Sequence, residues 1–269
     1  TDREFAAVDS AGTRFRDEVE PLTNYTVLRA MRDFGKTRAG SSNTLGLLGT
    51  AVNRSIDSPR LDFLRTGAYA GGVDFVHRFA ASRYIAYGAL TYSRIEGDTL
   101  AVQAAQRSSA RYYQRPDADY VEYDAARTSL TGWYGALGFS KEQGSTIWAM
   151  GGTATSPGFE INDVGYVSRA DRASVAFKTT RRWTTPGRLF RYAGLQGAGS
   201  MGWNFGGDRI STNAMIYANG TFVTFWGFQG SISATPRLLN DGLTRGGPVG
   251  MTLAQASGNL SVSSDNRKP

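Results

Sequence analysis

Three dense polar segments carry the residue types that could do chemistry. The first is Arg111-Tyr112-Tyr113-Gln114-Arg115-Pro116-Asp117-Ala118-Asp119, followed by Glu122 and Asp124. Carboxylates at alternating positions, Asp117 and Asp119, are oxygen ligands suited to a hard cation or a sugar. The glycine and terminal glutamate of an EF-hand loop are missing. The competing reading is a plain loop in which Arg115 pairs with Asp117 or Asp119 and Pro116 fixes the turn. The second segment is Ser156-Pro157-Gly158-Phe159-Glu160-Ile161-Asn162-Asp163-Val164-Gly165-Tyr166, then Arg169-Ala170-Asp171. Glu160 and Asp163 are the types a glycosidase uses as an acid/base pair, but such a pair must flank a pocket, and near neighbours in sequence rarely do. A structural role fits better, with Pro157-Gly158 as a turn, Asn162 and Asp163 bonded to nearby backbone, and Arg169 and Asp171 cross-linking the loop. The third, Leu243-Thr244-Arg245-Gly246-Gly247-Pro248, reads as a turn or a tight backbone approach around Arg245. It lacks the lysine and hydroxyl of a phosphate loop.

Composition narrows the chemistry further. The chain has 269 residues with no cysteine and one histidine, His77. Disulfide scaffolds, thiolate catalysis and histidine-rich metal sites therefore drop out. No Gly-x-Ser-x-Gly elbow exists for His77 to serve. We assign no catalytic residue, no cofactor and no metal ligand. Thirty lysines and arginines against 23 aspartates and glutamates leave a net charge of +7. The basic residues are scattered, adjacent only at Arg181-Arg182 and Arg267-Lys268, so nucleic acid is not an expected partner. Hydrophobic residues make up 41%, enough to fold. No run approaches the ~20 apolar residues of a membrane helix.

The elements that must position these segments are strands. The chain holds 33 glycines, 13 tyrosines and 14 phenylalanines. Tyr69, Val73, Phe75 and Phe79 share one parity, with Asp74 and Arg78 on the other. In Tyr84–Ser93 the even positions run Tyr84, Ala86, Gly88, Leu90, Tyr92: an apolar middle with an aromatic ring at each end. Trp133, Leu137 and Phe139 repeat the theme. Period-2 alternation of this kind marks strands with two different faces. Asn219-Gly220 is the strongest hairpin signal, since it supplies the positive φ values of a type I′ turn. Further turns are expected at Phe34-Gly35-Lys36, Glu96-Gly97-Asp98, Glu142-Gln143-Gly144 and Gly206-Gly207-Asp208. A short helix fits residues 99–111. Residues 1–23 read as a loop or a leading strand, and Gly258 to Pro269 as a polar tail unlike a terminal strand. Both ends look cut, so the chain reads as a segment of something longer.

Long alternating strands with aromatic ends describe an all-β, antiparallel up-and-down transmembrane β-barrel, or a large part of one. Roughly ten to twelve strands are expected over residues 24–269. Strands of ~9–11 residues cross the hydrocarbon with apolar side chains toward lipid. Tyr84, Tyr92, Trp133 and Trp226 are then membrane-interface aromatics. Two alternatives remain open. One is a secreted all-β protein that binds or hydrolyses polysaccharide through Glu160, Asp163 and Asp117. The other is a structural component of an envelope complex, with Trp133, Trp226 and Phe228 against a partner.

The ordered motifs Gln114-Arg115-Pro116-Asp117-Ala118-Asp119, Thr128-Ser129-Leu130-Thr131-Gly132, Ser156–Gly165, Arg169-Ala170-Asp171 and Thr244–Pro248 resemble one bacterial family. It is a group of large Gram-negative envelope proteins with an N-terminal family-nine-type carbohydrate-binding module and a C-terminal domain of unknown function. The resemblance covers roughly Asn24 to Asp265 and falls in that C-terminal domain. It implies an outer-membrane barrel on an exported precursor, with a lipid bilayer as partner. It also implies saccharide contact through the N-terminal module, which lies outside this sequence, and contact with other envelope proteins. Some members are labelled hydrolases, without catalytic residues that transfer to this chain. A transport, anchoring or surface-scaffold role follows, with the loop residues Arg115, Asp117, Asp119, Glu160, Asn162, Asp163, Arg169, Asp171 and Arg245 as binding or structural candidates.

Overall fold

The computed structural model describes residues 1–35 and 40–265. A hairpin, β1 (Glu4–Ser10) and β2 (Thr13–Glu20), precedes β3 (Leu22–Phe34), β4 (Ser42–Ser55) and β5 (Arg65–Phe79). Then come β6 (Tyr84–Gly97), the helix α1 (Thr99–Arg107), β7 (Ser129–Lys141), β8 (Thr146–Thr155) and β9 (Arg172–Trp183). β10 (Phe190–Trp203), β11 (Arg209–Phe222), β12 (Gly227–Thr235), the short pair β13 (Leu238–Asn240) and β14 (Gly250–Thr252), and β15 (Gln255–Ser263) complete the order. Eleven strands form one antiparallel sheet in the order β15-β12-β11-β10-β9-β8-β7-β6-β5-β4-β3. Strands β3 to β12 each pair with their chain neighbours, as in an up-and-down meander, and β15 joins β12 past the separate β13–β14 pair. Among the described residues no ladder joins β3 to β15, so the sheet is not closed into a barrel. The two edge strands run in the same direction.

The longest connections gather at one end, which also holds the short turn 204–208 between β10 and β11. Segments 56–64, 98–128, 156–171 and 236–254 all leave one end, and 80–83, 142–145, 184–189 and 223–226 leave the other. The three polar segments therefore converge on one end.

The two faces differ in composition row by row. One register row reads Ala30, Leu47, Val73, Leu90, Gly135, Ala154, Ala173, Trp203 across eight strands. The adjoining row, pointing the opposite way, reads Met31, Gly46, Asp74, Ala89, Ala136, Thr153, Ser174, Gly202, Ser211. The first face is open: Leu90 is 56% exposed and Leu137 67%. On the second, the long loops fold back over the strand ends. There α1 sits with Ala101, Val102 and Ala105 buried, and Val102 and Ala105 join Val52, Ala68, Ile95, Leu130 and Tyr113 in the core cluster. Asp98 starts this helix by accepting from the Leu100 N–H at 2.9 Å.

Three expectations change. Asn219-Gly220 is not a turn: both residues lie inside β11, paired with Gly194 and Ala193 on one side and Gln229 and Phe228 on the other. A Cβ on Gly220 would meet the Phe228 ring at 2.6 Å, so its glycine serves a close side-chain approach. The chain turns instead at 223–226, with Phe225 at φ 67°. Residues 1–23 are the β1–β2 hairpin and the start of β3. The supposed polar tail contains β15, paired with β12 along its length. Its alternation of Gly258, Leu260 and Val262 with Ser257, Asn259 and Ser261 is hidden by small polar residues. Lys36 of the expected Phe34-Gly35-Lys36 turn and the last four residues lie outside the described residues.

Candidate functional site

The loop-covered end is built on β6 and β7. Gly132 and Gly158 let the loop 156–171 lie directly on β7. A Cβ on Gly132 would come within 2.1 Å of the Phe159 nitrogen, and one on Gly158 within 2.0 Å of the Thr131 carbonyl oxygen. With the backbones in contact, the Glu160 N–H donates to Ser93 Oγ at 3.0 Å. Glu160 is thereby carried into the core, where it is 2% exposed.

A buried carboxylate must be paired. Arg111 Nη2 donates to Glu160 Oε2 at 2.8 Å, and Arg65 lies 3.4 Å from Oε1, which also accepts from the Asn162 N–H at 2.9 Å. The Arg111 side chain is fully buried and also donates to the carbonyls of Ala105, Pro157 and Phe159. One guanidinium thus ties α1 to the second polar segment. Asp163 completes this cluster, accepting from Arg54 at 2.8 Å and Arg65 at 2.5 Å. Burial pushes the Glu160 carboxyl up, but the Arg111 and Arg65 charges outweigh it and hold the group below the ordinary carboxylate range.

A second cluster joins the first segment to the end of the second and to Asp241, just before the third. Asp171 Oδ2 accepts from Tyr120 at 2.6 Å and Arg115 at 3.2 Å, and its Oδ1 from the Phe205 N–H at 3.0 Å. Arg115 also pairs with Asp241 at 2.8 Å, and Arg169 pairs with the same Asp241. Here burial wins: it raises the Asp171 carboxyl above its usual range against the Tyr120, Phe205 and Arg115 contacts. Burial, then Asp171 itself, raises Tyr120 as well.

The structure redistributes the expected partners. Arg115 bonds neither Asp117 nor Asp119 but Asp171 and Asp241. Asp117 accepts from the Val249 N–H, linking the first segment to the third, while Asp119 is exposed. Asn162 does bond nearby backbone, both ways with Val167. Asp163 reaches arginines on β4 and at the start of β5 instead. Arg245 is exposed, with φ 54°. Among the described residues no cluster of three or more metal-ligating side chains occurs. Of the aromatics, Tyr84 stacks on Phe79 and Phe139 at the short-turn end, whereas Trp226 lies in the 223–226 turn. Tyr92 and Trp133 pair across β6 and β7 on the open face, Trp133 edge-on to Phe205.

Arg54, Arg65, Arg111, Tyr120 and Asp241 are the members sequence reasoning missed. Arg111 opens the first motif, and Asp241 stands just before the third, so both had a local signal. Arg54 and Arg65 had none.

The arrangement ties the loops 98–128, 156–171 and 236–254 to the sheet through paired charges. A glycosidic acid needs a carboxyl kept protonated near neutrality. Glu160 is pulled the other way and Asp163 holds two guanidinium groups. A cavity of about 350 Å³ does reach Glu160, between Arg65, Ser108, Asn162 and Tyr166.

Fold and site together define an all-β protein with one large antiparallel sheet and an ion-paired loop cap over one end. A family model described as a domain of unknown function, DUF5916, matches residues 1–269, and the chain belongs to that family. No curated protein and no solved structure matches the chain.

Proposed function

We propose that this chain forms part of an outer-membrane β-barrel of a Gram-negative envelope, exported as a precursor, with a non-enzymatic transport, anchoring or surface-scaffold role. The observation that carries this reading is the contrast between adjoining register rows. The open-face row is apolar from β3 to β10, and past Met31 on the edge strand the adjoining row holds small or polar side chains. A soluble sheet with an uncovered face of this kind would expose far more apolar surface than monomers tolerate. Lipid is the solvent that suits it. The gathering of all the long connections at one end, with aromatic rings toward both ends, supports the same assignment.

Unpaired strand edges are costly in lipid. Because β3 and β15 run the same way, an all-antiparallel closure takes an odd number of further strands between them. A bilayer is the partner. Saccharide contact through an N-terminal sugar-binding module, and contact with other envelope proteins, belong to this reading as its wider setting. Fractionation of the intact precursor, with gel migration before and after heating, tests it. We expect recovery in the outer membrane and a band that shifts on heating. Recovery as a compact monomer without detergent contradicts it.

A further inference from the structure

The two ends of the open face handle charge differently. At the long-loop end Arg94 is neutralised by Glu96 at 2.5 Å on its own strand. At the short-turn end Lys141, Arg181 and Arg191 make no ion pair among the described residues. Each follows the same gradient along its strand on the open face. On β7 the order is Leu137, Phe139, Lys141. On β9 it is Val175, Phe177, Thr179, Arg181, with Trp183 beyond. On β10, read toward the same end, it is Leu195 and Ala193, with Arg191 following at the irregularity where Phe190 opposes Phe222. The cations are placed over rings: the Arg181 guanidinium lies 5.8 Å from the Trp183 centroid and that of Arg191 4.2 Å from Phe225. Trp148 pairs across the sheet with Lys141. Arg83 and Arg188, in the adjoining turns, are exposed and add to the charge. The acidic side chains at this end are Asp33, Glu142 and Asp265, none of them on the open-face positions of β7, β9 or β10.

An apolar band, then rings, then unneutralised cations is the profile of a bilayer from acyl chain to phosphate. We propose that Lys141, Arg181 and Arg191 form a collar that binds anionic phospholipid headgroups in the leaflet at the short-turn end. This rests on the membrane reading above. Lysine offers the phosphate a point charge and arginine a two-pronged donor, and both gain from the half-dry setting beside the rings. The opposite rim carries Arg94, cancelled by Glu96, and the exposed Arg209 opposite Trp203, which makes no ion pair among the described residues, so its attraction for headgroups is weaker.

The test uses the intact protein reconstituted in phosphatidylcholine bilayers containing a minor fraction of phosphatidylglycerol. The ratio of the two lipids retained after gentle detergent extraction is measured by mass spectrometry. We expect phosphatidylglycerol to be enriched, and the enrichment to fall about tenfold in the triple variant Lys141→Gln, Arg181→Gln, Arg191→Gln. Arg94→Gln should leave it unchanged. Raising salt should lower it in the parent protein, a readout that needs no variant to fold. No enrichment in the parent, or equal enrichment in parent and triple variant, overturns the collar. A lipid-quenched probe at Leu137 separates the two proposals. If it is quenched while enrichment is absent, only the collar fails; if it sits in water, the membrane reading fails with it.

Discussion

The loop cap and the central band of the open face are built on the same strands, and each settles a different desolvation problem. Above Ser93 and Ile95 the sheet receives buried charge, and every carboxylate taken in arrives with an arginine: Glu160 with Arg111 and Arg65, Asp171 and Asp241 with Arg115. A few residues along the same strand, on the opposite face, Leu90 stands exposed with no polar neighbour across the ladder, between Val73 and Gly135. The cap depends on a few exact pairings between distant loops. The band depends on many interchangeable apolar residues and on the absence of charge. Damage to the first should therefore be specific to the residue, and damage to the second specific to the face.

The largest effect is expected inside the cap. Arg111→Ala leaves Glu160 buried against one remaining, more distant guanidinium, a loss of about 3–5 kcal/mol. Limited proteolysis should then cut within 98–128 and 156–171 while the sheet stays intact. In the band, Leu137→Arg should cost about 2–4 kcal/mol of stability in a bilayer, measured by denaturant titration in vesicles. Thr153→Arg, on the covered face one strand away, should cost much less. Equal costs at the two positions would erase the distinction between faces. Next comes Gly132→Ala, whose methyl group has no room beside Phe159; about 1–3 kcal/mol should be lost, again read by loop proteolysis.

The smallest and most discriminating effect is in pH. Glu160, held below its ordinary value, contributes stability that is present above the unfolded carboxyl pKa of about 4.3 and fades as pH falls through the lowered folded value. Asp171 has the opposite sign, since its folded value is raised: its contribution declines as pH climbs from the unfolded toward the folded value. Glu160→Gln should flatten the acid loss of cap stability, and Asp171→Asn should steepen it. Protease resistance of the cap across an acid series measures both.

How far the chain could be read in advance follows the same division. The strands of the band were legible because alternation is local: Tyr84, Leu90 and Tyr92 show their common face within one segment. β15 was missed because Ser257, Asn259 and Ser261 dilute that alternation, and Asn219-Gly220 misled because its glycine answers to Phe228 across the ladder rather than to a turn. In the cap, the polar motifs marked the right segments but not their pairings. Arg115 had two carboxylates close by in sequence and took two distant ones. Arg54 and Arg65, on β4 and at the start of β5, meet Asp163 only because the meander returns them to the end where the loop 156–171 closes. No local pattern encodes that meeting.

The chain's lack of native cysteine permits a clean scan of the face itself. Single cysteines placed in turn from Gly88 to Tyr92 in the intact protein, each carrying a fluorophore, are exposed to brominated acyl chains and to a water-soluble quencher. We expect positions 88, 90 and 92 to be quenched by the lipid, and 89 and 91 to be shielded from it. Uniform quenching from water along all five positions, with none from the acyl chains, would contradict a lipid-facing sheet.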